Sequence, residues 1–302
     1  MNGVLVVDKP RGGTSFDVVR QVRRAAGVRK VGHGGTLDPL ASGVLPICLG
    51  EATKLAQFLL DADKEYEVTL CLGVETDTYD ADGAVTARHA AGDIDEATVR
   101  AALAPFVGPI AQRPPVYSAL KRAGRALYEY ARAGETVEIA ERAVTVHQLD
   151  LLSFVGPEAV TLRVRCSKGT YVRSLVFDLG RALGPGAHVT ALRRTRSGPF
   201  SLEEARSLPD TLLALEQRDP ALKLVSLSQA LSHLPRCSAG ADAARDLTHG
   251  KRVPWSALKA SDEQPEISWR RFQVLGPGGA LLAVAERRPD DTLRTLRVFN
   301  HG

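Results

Sequence analysis

Gly32-His33-Gly34-Gly35-Thr36-Leu37-Asp38-Pro39-Leu40-Ala41-Ser42-Gly43-Val44-Leu45-Pro46 carries four glycines in fifteen residues and runs into the apolar segment Val44–Leu49. Glycine lets backbone or ligand approach closely, so this is a loop held tightly against something else. Asp38-Pro39 taken alone initiates a turn. The flanking glycines, with His33 five residues upstream, leave room for a site there, and spacing alone does not decide between the two readings.

Outward from that loop, Gly3–Val7 reads as a strand, and Thr14 or Ser15 caps a helix from Phe16 to about Ala26 that Gly27 ends. Tyr66–Gly73 alternates as a strand, Asp95–Phe106 has helical periodicity, and Arg113–Lys121 is a proline-broken basic loop before a helical Arg125–Ala133. Val160–Cys166 alternates with a basic outer face, Val172–Leu183 carries a helical apolar stripe, and His188–Arg196 is strand-like. Helices and strands are mixed irregularly, which predicts an α+β fold: a mixed β-sheet with flanking helices. After about Leu234 a short helix (Ala241–Leu247) and strands at Phe272–Leu275, Leu281–Ala285 and Leu293–Val298 predict a small β-rich C-terminal domain. The predicted division is 1–234 and 235–302.

The 302 residues are 44% hydrophobic and 25% charged, and no apolar run reaches the roughly 18 residues of a membrane span. The N-terminus is charged too early for a secretory signal, which places the chain in the cytoplasm. Cys48, Cys71, Cys166 and Cys237 stand singly, and neither they nor the seven histidines show ligand spacing. No metal or cofactor is expected. The net charge of +4 is unevenly spread. Seven Lys/Arg lie between Asp8 and Lys30, and Arg113–Arg125 holds no acid, whereas acids gather at Asp61–Glu67 and Glu75–Asp82. Segregated basic segments suit a polyanion such as RNA.

The Gly32–Gly43 run resembles the catalytic signature of the tRNA pseudouridine-55 synthase family. The resemblance continues in order through Gly3–Pro10, Cys48–Lys54, Asp63–Tyr66, Thr76–Gly83, Tyr117–Lys121 and Cys166–Arg173, covering about residues 3–200. One departure is Gly34, where bacterial members usually carry threonine, a change expected to loosen the His33 loop.

The resemblance implies isomerisation of uridine 55 in the T-loop of tRNA, with the base flipped out and no cofactor. It makes Asp38 the nucleophile, acting either on the base or on the ribose, and Arg173 its basic partner, mainly orienting it. Tyr66 is implied to be catalytic, stacking against the target base and taking part in removal of its C5 proton, with Tyr171 and Leu192 as further pocket contacts. His33 would enter the RNA loop where the base left, and Lys9 would serve structure or a phosphate. Lys64, Arg193, Arg194 and the Arg113–Arg125 loop are candidate phosphate binders, and residues 108–142 an insertion that closes over the tRNA arm. The C-terminal domain resembles a PUA-type RNA-binding module, and a chain ending near Leu234 is expected to keep the chemistry. Partners would be the T-arm of tRNA, with no membrane and no obligate protein, the chain acting as a monomer. The alternatives are a guide-RNA-dependent catalytic subunit, or an RNA-binding protein that folds tRNA without modifying it.

Overall fold

The strand Gly3–Lys9 carries the apolar run Val4–Val7, and each of its seven residues except Asp8 is buried. It pairs antiparallel along its full length with Ala41–Leu49, Val7 opposite Leu45. The helix between them, Ser15–Ala26, begins where Thr14 and Asp17 satisfy each other's backbone N–H groups and ends at Gly27 in the left-handed conformation. These belong to a computed structural model that describes residues 1–260 and 271–300.

Ten strands form one mixed sheet. Its main path runs Arg206–Ser207, Gly3–Lys9, Ala41–Leu49, Ala187–Ser197, Lys64–Leu72, Ala159–Cys166, Arg142–Gly156 and Gly108–Gln112. The central strand Ala187–Ser197 is parallel to Ala41–Leu49 on one side and antiparallel to Lys64–Leu72 on the other. That parallel contact dictates a glycine. Gly43 lies opposite Arg194 with φ 104°, and a Cβ there would overlap the Arg194 backbone. The helix Val172–Leu183 packs on the sheet and spans the predicted residues. The segment 108–142 leaves the sheet at the edge pair Gly108–Gln112 and Arg142–Gly156, and between them carries a two-rung hairpin and a helix, Leu127–Arg132. The predicted Arg125–Ala133 helix is shorter because Arg125-Ala126 pairs with Lys121-Arg122.

A second sheet orders Leu258–Ala260, Arg236–Ala239, Phe272–Leu275, Leu281–Arg287 and Leu293–Val298. Residues 261–270 and 301–302 of the predicted C-terminal unit lie outside the described residues. The two sheets are not independent. Leu281, Val284 and Phe299 share one buried cluster with Val4, Val44, Phe58, Leu59, Phe200 and Leu231. Polar contacts cross the same seam: Gln273 donates to the carbonyl of Leu231 at 2.9 Å, and Arg271 pairs with Asp61 at 2.7 Å. The small β-rich C-terminal unit is present, and its sheet completes the core of the first.

Candidate active site

Asp38 does initiate the turn that its sequence suggests, its carbonyl accepting from Ala41 N–H at 3.0 Å. The same turn leaves its carboxylate at the mouth of a 510 Å³ cavity over the middle of the large sheet. The turn reading of Asp38-Pro39 thus holds, and it sets Asp38 on a cavity wall. The loop is pinned from below. Ser15 Oγ donates to Leu37 O and accepts from Leu37 N–H, and Lys9 Nζ donates to the carbonyls of Ala41 and Pro10 at 2.8 and 2.9 Å, with Asp38 O at 3.4 Å. Lys9 is wholly buried, and burial pushes its pKa down to about 8. Of its two sequence readings, only the structural one fits; it has no surface to offer a phosphate.

Arg173 approaches Asp38 from the first turn of the Val172–Leu183 helix. Its Nε lies 2.9 Å from Asp38 Oδ2, with the arginine side chain 4% exposed and the aspartate 35%. The Nε–H is not aligned along that line, so the contact is ionic rather than a formed hydrogen bond. The rest of the guanidinium is occupied. Nη1 donates to Thr78 O at 2.8 Å and stands 3.3 Å from Asp80 Oδ2, and Nη2 donates to Tyr117 O at 3.0 Å. With both terminal nitrogens engaged and the side chain only 4% exposed, Arg173 faces Asp38 rather than solvent.

Asp80 was not singled out by the sequence reading, although it lies in the acidic Glu75–Asp82 segment. It is buried, and burial raises its pKa, opposed by the Thr78 hydroxyl and the Arg173 charge. Gln112 also escaped notice. This buried amide donates to Tyr171 O at 3.0 Å and accepts from Tyr171 N–H at 2.7 Å, clamping the residue before Arg173's helix. A lone glutamine at an edge strand carries no signal in sequence.

Tyr66, Tyr171 and Leu192 all line the cavity with Asp38 and Arg173. Leu192 is opposite both Ala41 and Val68 in the sheet. Tyr66 is opposite Arg194 on the neighbouring strand, and burial pushes its hydroxyl pKa up. His33 is not part of the cavity wall. It is half-buried with Gly35 N–H 3.4 Å from its Nδ1, and burial, then Arg194, lowers its pKa, so the ring is neutral at pH 7.

Two expected phosphate binders are structural. Arg194 is 1% exposed and donates to the carbonyls of Val44, Thr36 and Gly35. Lys64 is buried and donates to the carbonyls of Leu59, Leu60 and Ala62. Arg193 is partly exposed and paired with Asp8 at 2.7 Å. In the insertion, Arg113 and Arg125 pair with Glu141 and Glu135. Exposed Lys121 has no ion-pair partner among the described residues. Gly34 does not loosen its loop: it is buried, donates to Pro46 O at 2.8 Å, and a Cβ there would stand 2.8 Å from Leu59 Cδ1. Leu59 fills the place of the missing side chain.

Among the described residues no three His, Cys, Asp or Glu side chains are grouped to hold a metal, and no helix is long and apolar enough to cross a membrane.

The fold has counterparts among solved structures. The crystal structure of a Cbf5-Nop10-Gar1 complex contains a chain similar with TM-score 0.77 and 30% identity, over 99% of this chain and 85% of that one. A chain of an H/ACA RNP bound to a substrate RNA containing 2′-deoxyuridine gives TM-score 0.75 at 28% identity, covering 99% and 85%. The fold is that of a pseudouridine synthase. More narrowly, the chain belongs to the TruB family of pseudouridylate synthases: the model of the family's N-terminal domain matches residues 23–172, and that of the tRNA pseudouridylate synthase B C-terminal domain matches 173–230. A protein of Burkholderia pseudomallei named tRNA pseudouridine synthase B is 51% identical over 94% of this chain and 93% of its own length. One of the same name from Aromatoleum aromaticum is 52% identical over 83% and 80%.

Proposed function

We propose that this chain isomerises uridine 55 in the T-loop of tRNA to pseudouridine, working alone, with Asp38 as nucleophile. The observation that carries the reading is the Asp38–Arg173 pair at 2.9 Å on the wall of a cavity shared with Tyr66, Tyr171 and Leu192. The reaction breaks N1–C1′, turns the base and rejoins it through C5, so it needs a nucleophile held on an extruded nucleotide and no net redox change. Extruding a base costs a few kcal/mol, and stacking on an aromatic side chain returns about 1–3 kcal/mol per base. Tyr66 and Tyr171 supply such faces. Arg173 keeps the carboxylate aimed whether it adds to the base or assists its departure from the ribose. His33, neutral and beside the loop, is suited to fill the stack the base leaves, and the second sheet to hold a more distant part of the tRNA.

The relatives named for tRNA share about half of this sequence, whereas the chains from the H/ACA RNP and the Cbf5-Nop10-Gar1 complex share 28–30%. That difference favours the standalone reading over a guided one. The test is nucleotide-resolved pseudouridine mapping on an unmodified tRNA transcript incubated with the purified protein, no guide RNA added. Product at uridine 55 with wild type and none with Asp38→Asn, at unchanged tRNA binding, is the expected result. Activity only with an added guide RNA, or turnover by the asparagine variant free of deamidated protein, would refute the standalone reading or the nucleophile.

A further inference from the structure

Tyr79 has φ 63°, in the left-handed region that a side chain with a Cβ rarely enters. Such a residue persists only where its surroundings over-determine it. Here its N–H donates to Thr76 O at 3.2 Å and its carbonyl accepts from Val189 N–H at 3.0 Å. Its ring stacks on Phe177, centroids 4.0 Å apart and planes 20° from parallel. Phe177 in turn has the Arg181 guanidinium 5.5 Å from its ring centroid.

The neighbours of Tyr79 are the groups that hold Arg173. Thr78 O and Asp80 Oδ2 meet the same nitrogen, Nη1, at 2.8 and 3.3 Å. The left-handed turn at Tyr79 is what brings a carbonyl from one side and a carboxylate from the other onto that atom. Phe177 follows Arg173 by one turn of the same helix, so the ring stack refers the turn and the arginine to one rigid body.

We propose that Tyr79 is a positioning residue for pseudouridine formation: its ring, docked on Phe177, fixes the turn that aims Arg173 and so aims Asp38. This rests on the function proposed above. The ring matters and the hydroxyl does not, since the stack is the contact that locks the turn. A misplacement of about 1 Å in such a chain can cost on the order of a hundredfold in rate.

The experiment measures single-turnover pseudouridine formation at saturating unmodified tRNA transcript, with tRNA binding and thermal unfolding followed separately. Tyr79→Phe should match wild type. Tyr79→Ala and Phe177→Leu should each slow the reaction by about ten- to a hundredfold with tRNA affinity unchanged. In an Arg173→Lys background, Tyr79→Ala should add little further loss, because its effect travels through the guanidinium. A merely structural role would give additive losses there, and that result overturns the proposal, as does a folded Tyr79→Ala chain with the wild-type rate. If Tyr79→Ala does not fold, Phe177→Leu, which leaves the turn's own side chain in place, decides alone: a wild-type rate refutes. A wild-type chain that forms no pseudouridine overturns the proposed function itself, whereas wild-type activity with an unimpaired alanine variant overturns only this role.

Discussion

At the scale of single residues the site is a relay of one cation between two carboxylates. Arg173 lies 2.9 Å from Asp38 and 3.3 Å from Asp80, but only Asp38 reaches solvent, so Asp80 serves as the fixed end. Asp80→Asn removes that charge while keeping size, and should lower the single-turnover rate by about ten- to a hundredfold with tRNA affinity unchanged. A rate equal to wild type would show that the two backbone carbonyls suffice to hold Arg173. His33 is different in kind. Being neutral at pH 7 and outside the cavity wall, it is expected to act on RNA shape. His33→Ala should impair a folded tRNA more than a short RNA whose target uridine is already unstacked. Equal losses on both substrates would place His33 in the chemistry or in protein structure.

Among the elements, the catalytic loop depends on what lies under it. Gly34→Thr supplies the residue that the family resemblance leads one to expect, yet here it drives a Cβ against Leu59. Overpacking of this kind costs about 1–3 kcal/mol, read as a lower midpoint in urea, and Leu59→Ala in the same chain should recover part of it. Lys9, under the loop, and Lys64, whose ammonium is held by the carbonyls of Leu59, Leu60 and Ala62, give a pH signature. Burial lowers each from 10.5 to about 8, so above pH 8 the native state releases protons that the unfolded chain retains, and stability rises with pH. Buried Cys48 and Cys166, raised from 9.0 to about 12 and about 11, work oppositely once the unfolded thiols ionise. The lysine effect therefore shows between pH 8 and 9, on the order of 1 kcal/mol for each lysine. Urea denaturation at both pH values should show the increase, and Lys64→Met should reduce it; a flat profile would mean the two ammonium groups are better solvated than their burial implies.

For the whole molecule, the shared core decides what truncation does. A chain ending at Leu234 loses Leu281, Val284 and Phe299 from a cluster that includes Phe58 and Leu59. Each such side chain contributes about 1.5–3 kcal/mol on burial, a sum comparable to the total stability of about 5–15 kcal/mol of an ordinary domain. The truncated chain should unfold at markedly lower temperature or aggregate, and its loss of activity should follow its loss of structure. A short form with wild-type melting and a wild-type single-turnover rate would show that the second sheet contributes only RNA contacts.

Local pattern carried much of this protein. The capped helix Ser15–Ala26, the helix Val172–Leu183 and the alternating strand Ala159–Cys166 follow from caps and periodicity that need only near neighbours. Asp38, Tyr66 and Arg173 could be singled out because each sits in its own short motif block, and folding brings all three to one cavity. What the sequence could not convey was burial. Arg193 and Arg194 are adjacent and chemically alike, yet one reaches solvent and the other lies wholly beneath the loop, because alternate residues of a strand face opposite sides of the sheet. The 15-residue strand Arg142–Gly156 was missed, since at the sheet's margin its register shifts against Ala159–Cys166 break the alternation that would mark it. Asp80, Gln112 and Tyr79 gain meaning only from Arg173, Tyr171 and Phe177, 59 to 98 positions away, and the second sheet became part of the core only when folding placed Phe299 in one buried cluster with Phe58. Such contacts are settled by packing across the chain, which no local stretch encodes.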